Sequence, residues 1–257
     1  MFLKWFPRSW IQVKAGDLVI YFDPSYISSY YKKYSKKIIF SQEEDDCLPE
    51  ELEKADLILV SHIHKDHCKD ITLKRLSKET TVVLTPQKYK DSEDSRVRIT
   101  KSGNKYVFEK GILSEYAPDS YPLYENKSEE VNSEHITIKT VDAYNTESGH
   151  SVRKVHKKGK CVGYIIGIEG KRIYFSGDTD YIPEMKQLTD IDIAIVPIGG
   201  IFTMDMEEAV EAVLEIRPKH VIPVHHLKND PREFKAMLEK RMDIDVRLLE
   251  TGGFCRL

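Results

Sequence analysis

Apolar residues in this chain gather in short blocks with the length or alternation of β-strands, and few stretches show the longer period of a helix packed on one side. Trp10 to Lys14 and Leu18 to Phe22 read as strands joined by a hairpin at Ala15-Gly16-Asp17, with Asp23-Pro24 ending the second. Leu57-Ile58-Leu59-Val60 is an unbroken buried-strand run, and Thr81 to Thr85 is another, closed by Pro86. Asp70 to Lys78 between them suits a helix. Ile136 to Asp142, Val162 to Ile168, Arg172 to Ser176, Ile193 to Ile198, His220 to Val224 and Val246 to Leu249 continue the strands, the second and third joined by Glu169-Gly170-Lys171. Helices are expected over Met206 to Ile216 and Arg232 to Arg241. Met206, Val210, Val213 and Leu214 make one stripe of the first, a packing face.

Two stretches lack any period. Ser25 to Asp46 sets Tyr26, Tyr30, Tyr31 and Tyr34 beside Lys32, Lys33, Lys36 and Lys37 and reads as a surface excursion. Leu113 to Ser133 has the length of a lid, a binding loop or a disordered insert. No repeat or linker divides the 257 residues, so a single domain over 1–257 is expected.

Composition narrows the class. An apolar fraction of 40% with 32% charged residues fits a soluble globular protein. A formal charge of −3 gives no global pull on a polyanion, which argues against nucleic acid as partner. No run approaches the roughly 20 apolar residues that cross a bilayer, and Phe2, Trp5, Phe6 and Trp10 are expected to pack onto the fold. Lys4, Pro7, Arg8 and Ser9 interrupt the start of the chain, so no secretory core is expected there. The four cysteines are then expected as reduced thiols in a cytosol. A homo-oligomer fits this composition as well as a monomer.

The chemistry concentrates in Ser61-His-Ile-His-Lys-Asp-His-Cys68, where three imidazoles and a carboxylate fall within six residues. All are ligand types for zinc or another borderline divalent metal. A regular helix would set His62 and His64 about 200° apart, and a regular strand would turn His67 away, so convergence needs an irregular turn after Val60. Histidines 135, 150 and 156 follow in a middle stretch, Gly177-Asp178-Thr179-Asp180 comes after a strand, and His225-His226 after a later one. Adjacent residues at a strand end point to opposite faces, so one of that last pair is expected to face the site.

His62, His64, Asp66 and His67 match the His-x-His-x-Asp-His motif, and the chain resembles the metallo-β-lactamase superfamily. That resemblance implies an α/β (α+β) fold, a four-layer αββα sandwich, with two divalent ions at the rim of its sheets. It makes Asp178 the bridging carboxylate, with Asp180 secondary, and His225 the closing ligand. Ala143-Tyr-Asn145, Val155-His156-Lys-Lys-Gly159, Gly163-Tyr164 and Pro197 to Met204 resemble a small branch of hydrolases near the ascorbate-phosphate lactonase type. There the histidine before the Lys-Gly turn is the ligand, which is His156, with His150 in reserve.

On that resemblance His62, His64 and His156 hold one ion and Asp66, His67 and His225 the other. Zinc leads, with manganese, iron, nickel or cobalt as alternatives. The ions activate a shared water, and Asp66 also takes the proton as the leaving group departs. Asp23-Pro24 reads equally as a strand-ending turn or as support for the rim. Cys68 is expected to be buried rather than nucleophilic. Arg153, Lys154, Lys157, Lys158 and Lys160 form either a solvated turn or, with less weight, an attraction for an anionic small-molecule substrate. The expected activity is hydrolysis of an ester, lactone or phosphodiester bond, with a phosphorylated small molecule among the candidate substrates. Its rivals are a non-catalytic metal-binding or sensor protein and a compact nuclease.

Overall fold

In a computed structural model of the chain, the described residues are 1–25, 52–78, 81–86, 96–102, 105–111 and 136–257. Nearly all of the Ser25 to Asp46 excursion, the Leu113 to Ser133 stretch and His135 lie outside them. The strands are β1 (Phe2–Trp5), β2 (Ile11–Ala15), β3 (Leu18–Phe22), β4 (Leu57–Leu59), β5 (Val82–Leu84), β6 (Arg96–Ser102) and β7 (Lys105–Gly111). They continue with β8 (Thr137–Ala143), β9 (Cys161–Ile168), β10 (Lys171–Phe175), β11 (Ile193–Pro197), β12 (His220–Val224), β13 (Asp245–Val246) and β14 (Phe254–Arg256). The α-helices are α1 (Asp70–Leu76), α2 (Met206–Ile216) and α3 (Pro231–Glu239), with a 3-10 turn at Pro183–Gln187.

The chain divides into two compact units, Met1–Thr85 with Leu249–Leu257, and Pro86–Leu248. The first holds a mixed sheet in the order β14-β1-β2-β3-β4-β5. β14, β1, β2 and β3 pair antiparallel, while β3–β4 and β4–β5 pair parallel. Leu18–Phe22 and Leu57–Leu59 are buried along their whole length, as unbroken apolar strands beside parallel neighbours must be. Trp5, Phe6 and Trp10 are buried as expected, with Phe6 and Trp10 in ring contact at 4.7 Å. Phe2 instead stays half exposed against Phe254 of the edge strand.

The second unit carries the order β13-β12-β11-β10-β9-β8. β8, β9 and β10 pair antiparallel, and β10 to β13 run parallel. At the β9–β10 hairpin Glu169 (φ 49°) and Gly170 (φ 70°) are both left-handed, the tight-turn geometry that suits the twist of a hairpin. In α2 Asp205 caps the N-terminus, its Oδ1 accepting from Glu208 N at 2.9 Å. That helix buries Ala209, Val210, Ala212, Val213 and Ile216 in a core shared with Phe234 and Leu238 of α3. Each large side chain there contributes roughly 1.5–3 kcal/mol by leaving water.

Three features differ from the sequence expectation. Val246 to Leu249 contracts to Asp245–Val246, because only His220 and Val221 of β12 are paired with it. β1 and β14 form a sheet edge too short, at four and three residues, to show a period. The β6–β7 hairpin was unforeseen because its few apolar positions are interleaved with Arg, Lys and Glu.

Candidate metal centre

In the first unit the site grows from the ends of two parallel neighbours. Phe22 of β3 is in register with Leu59 of β4, so the residues that follow, Asp23 and Ser61, leave the sheet side by side. Asp23 is left-handed (φ 45°) and fully buried. Its Oδ1 accepts from Ser61 N at 2.6 Å, and its Oδ2 from Ser61 Oγ at 2.5 Å and from His67 Nδ1 at 2.7 Å. Burial pushes the Asp23 carboxyl up, and the His67 and Ser61 contacts pull it back.

The irregular turn demanded by the motif is present: His67 N and Cys68 N both donate to His64 O at 2.9 Å. That turn brings the His62 ring to 4.6 Å from His64 and 4.0 Å from His67, centroid to centroid. His62 and His67 are buried and His64 is exposed. Asp66 is half exposed, its Oδ2 4.0 Å from both His67 Nε2 and Arg8 Nε. Arg8 had no signal in the sequence beyond its charge.

Hydrogen bonds set the tautomers. His67 Nδ1–H donates to the Asp23 carboxylate. Ser61 Oγ gives its proton to Asp23, so at 2.8 Å it accepts from His62 Nδ1. Both rings therefore carry hydrogen on Nδ1 and present the Nε2 lone pair, the arrangement a supporting carboxylate gives metal-binding histidines. Asp23, His62 and His67 have ligand atoms within 4.8 Å of one another, but Asp23 is committed as an acceptor and serves as their support. Cys68 is buried, as expected, and no disulfide joins Cys68, Cys161 and Cys255.

In the second unit, β10, β11 and β12 are parallel neighbours, so residues after β10 and β12 emerge at one edge of the sheet. A turn with Gly177 left-handed (φ 63°) delivers Asp178, and His225, also left-handed (φ 49°), follows β12 directly. Asp178 Oδ2 lies 3.6 Å from His225 Nε2 and 3.6 Å from His156 Nε2, and all three side chains are buried. His156 Nδ1 meets the Phe202 carbonyl at 3.0 Å. A carbonyl only accepts, so His156 too is protonated at Nδ1 and offers Nε2. His226 donates from Nε2 to Pro223 O at 2.7 Å, and burial pushes its pKa down. Of the adjacent pair, His225 is the one beside Asp178.

His150 is separate from this cluster, half exposed with Nδ1 3.0 Å from Asp205 Oδ2. That hydrogen bond raises its pKa above the ordinary 6.5. The pair's stabilising effect is thus full below pH 6.5 and fades as pH rises through the folded-state midpoint; its exposure keeps the effect small. An NMR titration of the His150 ring is expected to show a midpoint above 6.5 that falls back in Asp205→Asn. Metal should leave that titration in place, whereas a ligand histidine would lose it.

Two of the four lysines of the basic loop are committed. Lys154 donates to Asp180 Oδ2 at 3.1 Å and Ser151 Oγ at 2.9 Å, and Lys158 is paired with Glu184 and lies 3.6 Å from Asp142. Arg153 lies over the Phe202 ring at 5.8 Å.

Imidazole Nε2 atoms with protons held at Nδ1, together with carboxylate oxygens, form a donor set that fits a borderline divalent ion. Comparison with known proteins defines first the class. Igni18, a metallo hydrolase from the archaeon Ignicoccus hospitalis, superposes with a TM-score of 0.58 at 22% identity, covering 99% of this chain and 97% of that one. A Parabacteroides distasonis protein assigned as a metal-dependent hydrolase gives 0.66 at 25% identity over 96% and 91%. The fold is the metallo-β-lactamase fold.

The family follows from sequence. The profile of the beta-lactamase superfamily domain matches residues 3–225, and the chain belongs to that family. It is 32% identical over 214 residues to a UPF0173 metal-dependent hydrolase of Methanosarcina barkeri, 80% of this chain and 83% of the relative. A counterpart in Pyrobaculum islandicum is 30% identical over 268 aligned positions, spanning both chains. This protein is a metal-dependent hydrolase. No described helix is long and apolar enough to cross a membrane.

Proposed function

We propose that this hydrolase cleaves an ester, lactone or phosphodiester bond of a small molecule using two divalent ions, zinc first among them. His62, His64 and His156 would hold one ion, and Asp66, His67 and His225 the other, with Asp178 bridging. On this proposal residues 1–257 are one working domain. The observation that carries the proposal is the placement of Asp178 Oδ2 at 3.6 Å from Nε2 of both His156 and His225, the ligands assigned to different ions.

Bound there, the ions would supply an activated water at neutral pH and a Lewis acid for the bond to be cut. The chain does the rest. Asp23, Ser61 and Phe202 hold the ring protons of His67, His62 and His156 at Nδ1, so the lone pairs stay where ligands are needed. Asp66, half exposed, is placed to accept a proton as the leaving group departs. Uncharged esters and lactones rank ahead of phosphorylated substrates, because Lys154 and Lys158 are tied to Asp180 and Glu184.

The first test is elemental analysis of untagged protein purified without added metal, with hydrolysis of p-nitrophenyl esters, lactones and bis-p-nitrophenyl phosphate. About two ions per chain with turnover of at least one substrate is the expected result. Failure to take up metal on reconstitution would overturn the proposal, and two ions without turnover would favour a sensor.

A further inference from the structure

We propose that Asn145 is a positioning residue for the metal centre, fixing His156 on a loop that has no regular structure of its own, and that buried Asp180 and Lys154 in turn fix Asn145. The inference rests on the proposed role of His156 as a ligand.

His156 lies on the connection between β8 and β9, and helix or strand ladders do nothing to hold it. Asn145, two residues beyond β8, does. Its backbone N donates to His156 O at 2.8 Å, and its side-chain Oδ1 accepts from His156 N at 2.9 Å, so both main-chain polar groups of His156 are gripped by one residue. The Nδ2 donates to the Phe202 carbonyl at 2.9 Å and to Asp180 Oδ1 at 3.0 Å. The same Phe202 carbonyl accepts from His156 Nδ1 at 3.0 Å. Asn145 thus places the backbone of His156 and also the acceptor that sets its ring tautomer. Inverting the amide would aim its oxygen at two acceptors and its nitrogen at an N–H, so the assignment of oxygen and nitrogen is fixed by the surroundings.

The second layer is as closely built. Asp180 is fully buried, and besides Asn145 its carboxylate accepts from Thr146 N at 2.9 Å and Lys154 Nζ at 3.1 Å. Lys154 also donates to Gly149 O at 2.5 Å. A Cβ added to Gly149 would fall 2.1 Å from Asp180 Oδ2, so a side chain there would displace the carboxylate. An ion pair whose carboxylate is buried but whose lysine is exposed stabilises little by itself, so its use is to specify one arrangement. Here the arrangement specified is the path of residues 145–156. Both amide hydrogens of Asn145 and its oxygen are engaged within the protein, so it acts through His156.

The experiment measures both zinc affinities of the full-length, metal-loaded protein by competition with a chromogenic chelator. It compares wild type with His156→Ala, Asn145→Ala, Asn145→Ser and Gly149→Ala, the last reaching the network without touching Asn145. The expected result is loss of one tight site in His156→Ala and a weakening of that same site by about ten- to a hundredfold in the others, the usual effect of removing a ligand's support. The second affinity should fall much less than the first, because apart from the shared Asp178 its proposed ligands lie outside this network. Long-range proton–nitrogen NMR should show His156 protonated at Nδ1 in wild type and a mixture of tautomers in Asn145→Ser. Unchanged affinities in the Asn145 and Gly149 variants, with a site lost in His156→Ala, would overturn the inference and leave the ligand assignment standing. An equal fall in both affinities alongside the melting temperature would also overturn it, as mere loosening of the fold. Two intact sites in His156→Ala would remove the ligand assignment itself, and this inference with it.

Discussion

Asp178→Ala is expected to lower kcat/KM by about 10³-fold or more, since on the proposed mechanism a carboxylate shared by the two ions would organise several kcal/mol of transition-state stabilisation and each 1.4 kcal/mol is tenfold. Asp178 is the shared neighbour of His156 and His225, buried between Nε2 atoms each 3.6 Å from its Oδ2. On the two-ion proposal, removing its negative charge would take away the group that screens the cations' repulsion, so metal content should fall together with activity. Asp178→Asn keeps the volume and removes the charge, and is expected to behave nearly as badly. The measurements are kcat/KM on whichever p-nitrophenyl substrate the wild type hydrolyses, metal per chain, and the melting temperature with and without zinc. Wild-type zinc binding stabilises only the folded state and should raise its melting temperature, an increment that shrinks in both variants. Full activity with one ion per chain in Asp178→Ala would refute the bridging role.

The core strands and the densest part of the site were legible because each depends on local pattern. Leu57 to Val60 is apolar without interruption because its strand is buried on both faces, and a ligand-rich segment directly after such a strand has to turn irregularly at its end. The strand-ending Asp178 and His225 were legible through the family motif, and the parallel order of β10, β11 and β12 explains why both belong at one sheet edge. The resemblance picks His225 over His226, and strand alternation says only that one of the pair faces the site, yet the chain has already left the strand there. A left-handed backbone at His225 and the bond from His226 to Pro223 O separate the two. Contacts between residues far apart in sequence were the illegible part. Asp23 could be read equally as a turn former, and only its three hydrogen bonds, to Ser61 and to His67 44 residues on, show its role. Lys154 looked like a solvated surface charge and instead reaches a carboxylate that is fully buried.

Asp23 also gives the second large expectation, one in which stability and metal affinity separate. Asp23→Ala removes the acceptor of Ser61 N, Ser61 Oγ and His67 Nδ1 in a site closed to water. Each buried donor left without an acceptor costs about 1–3 kcal/mol, and alanine in the left-handed conformation at φ 45° adds about 1 kcal/mol. The Ser61 hydroxyl can rotate and His67 can shift its proton to Nε2, so the full penalty falls on Ser61 N and the net loss is about 3–5 kcal/mol, a large part of a typical folding stability of about 5–15 kcal/mol. It should lower the melting temperature of the metal-free protein by roughly 10 °C. In Asp23→Asn the new side chain tolerates the left-handed backbone and retains a carbonyl oxygen for Ser61 N, so this variant should recover much of that stability. Its amide hydrogens, however, now face His67 Nδ1, which must become the acceptor and move its proton to Nε2, the atom that the proposed ligand assignment needs as a lone pair. Zinc affinity in Asp23→Asn should therefore fall about ten- to a hundredfold while the fold is largely retained. Thermal melts of the metal-free variants and chelator competition on the loaded ones separate the two effects. If Asp23→Asn bound zinc as tightly as wild type, the carboxylate would be a structural anchor for Ser61 alone and the tautomer of His67 would be set by something else.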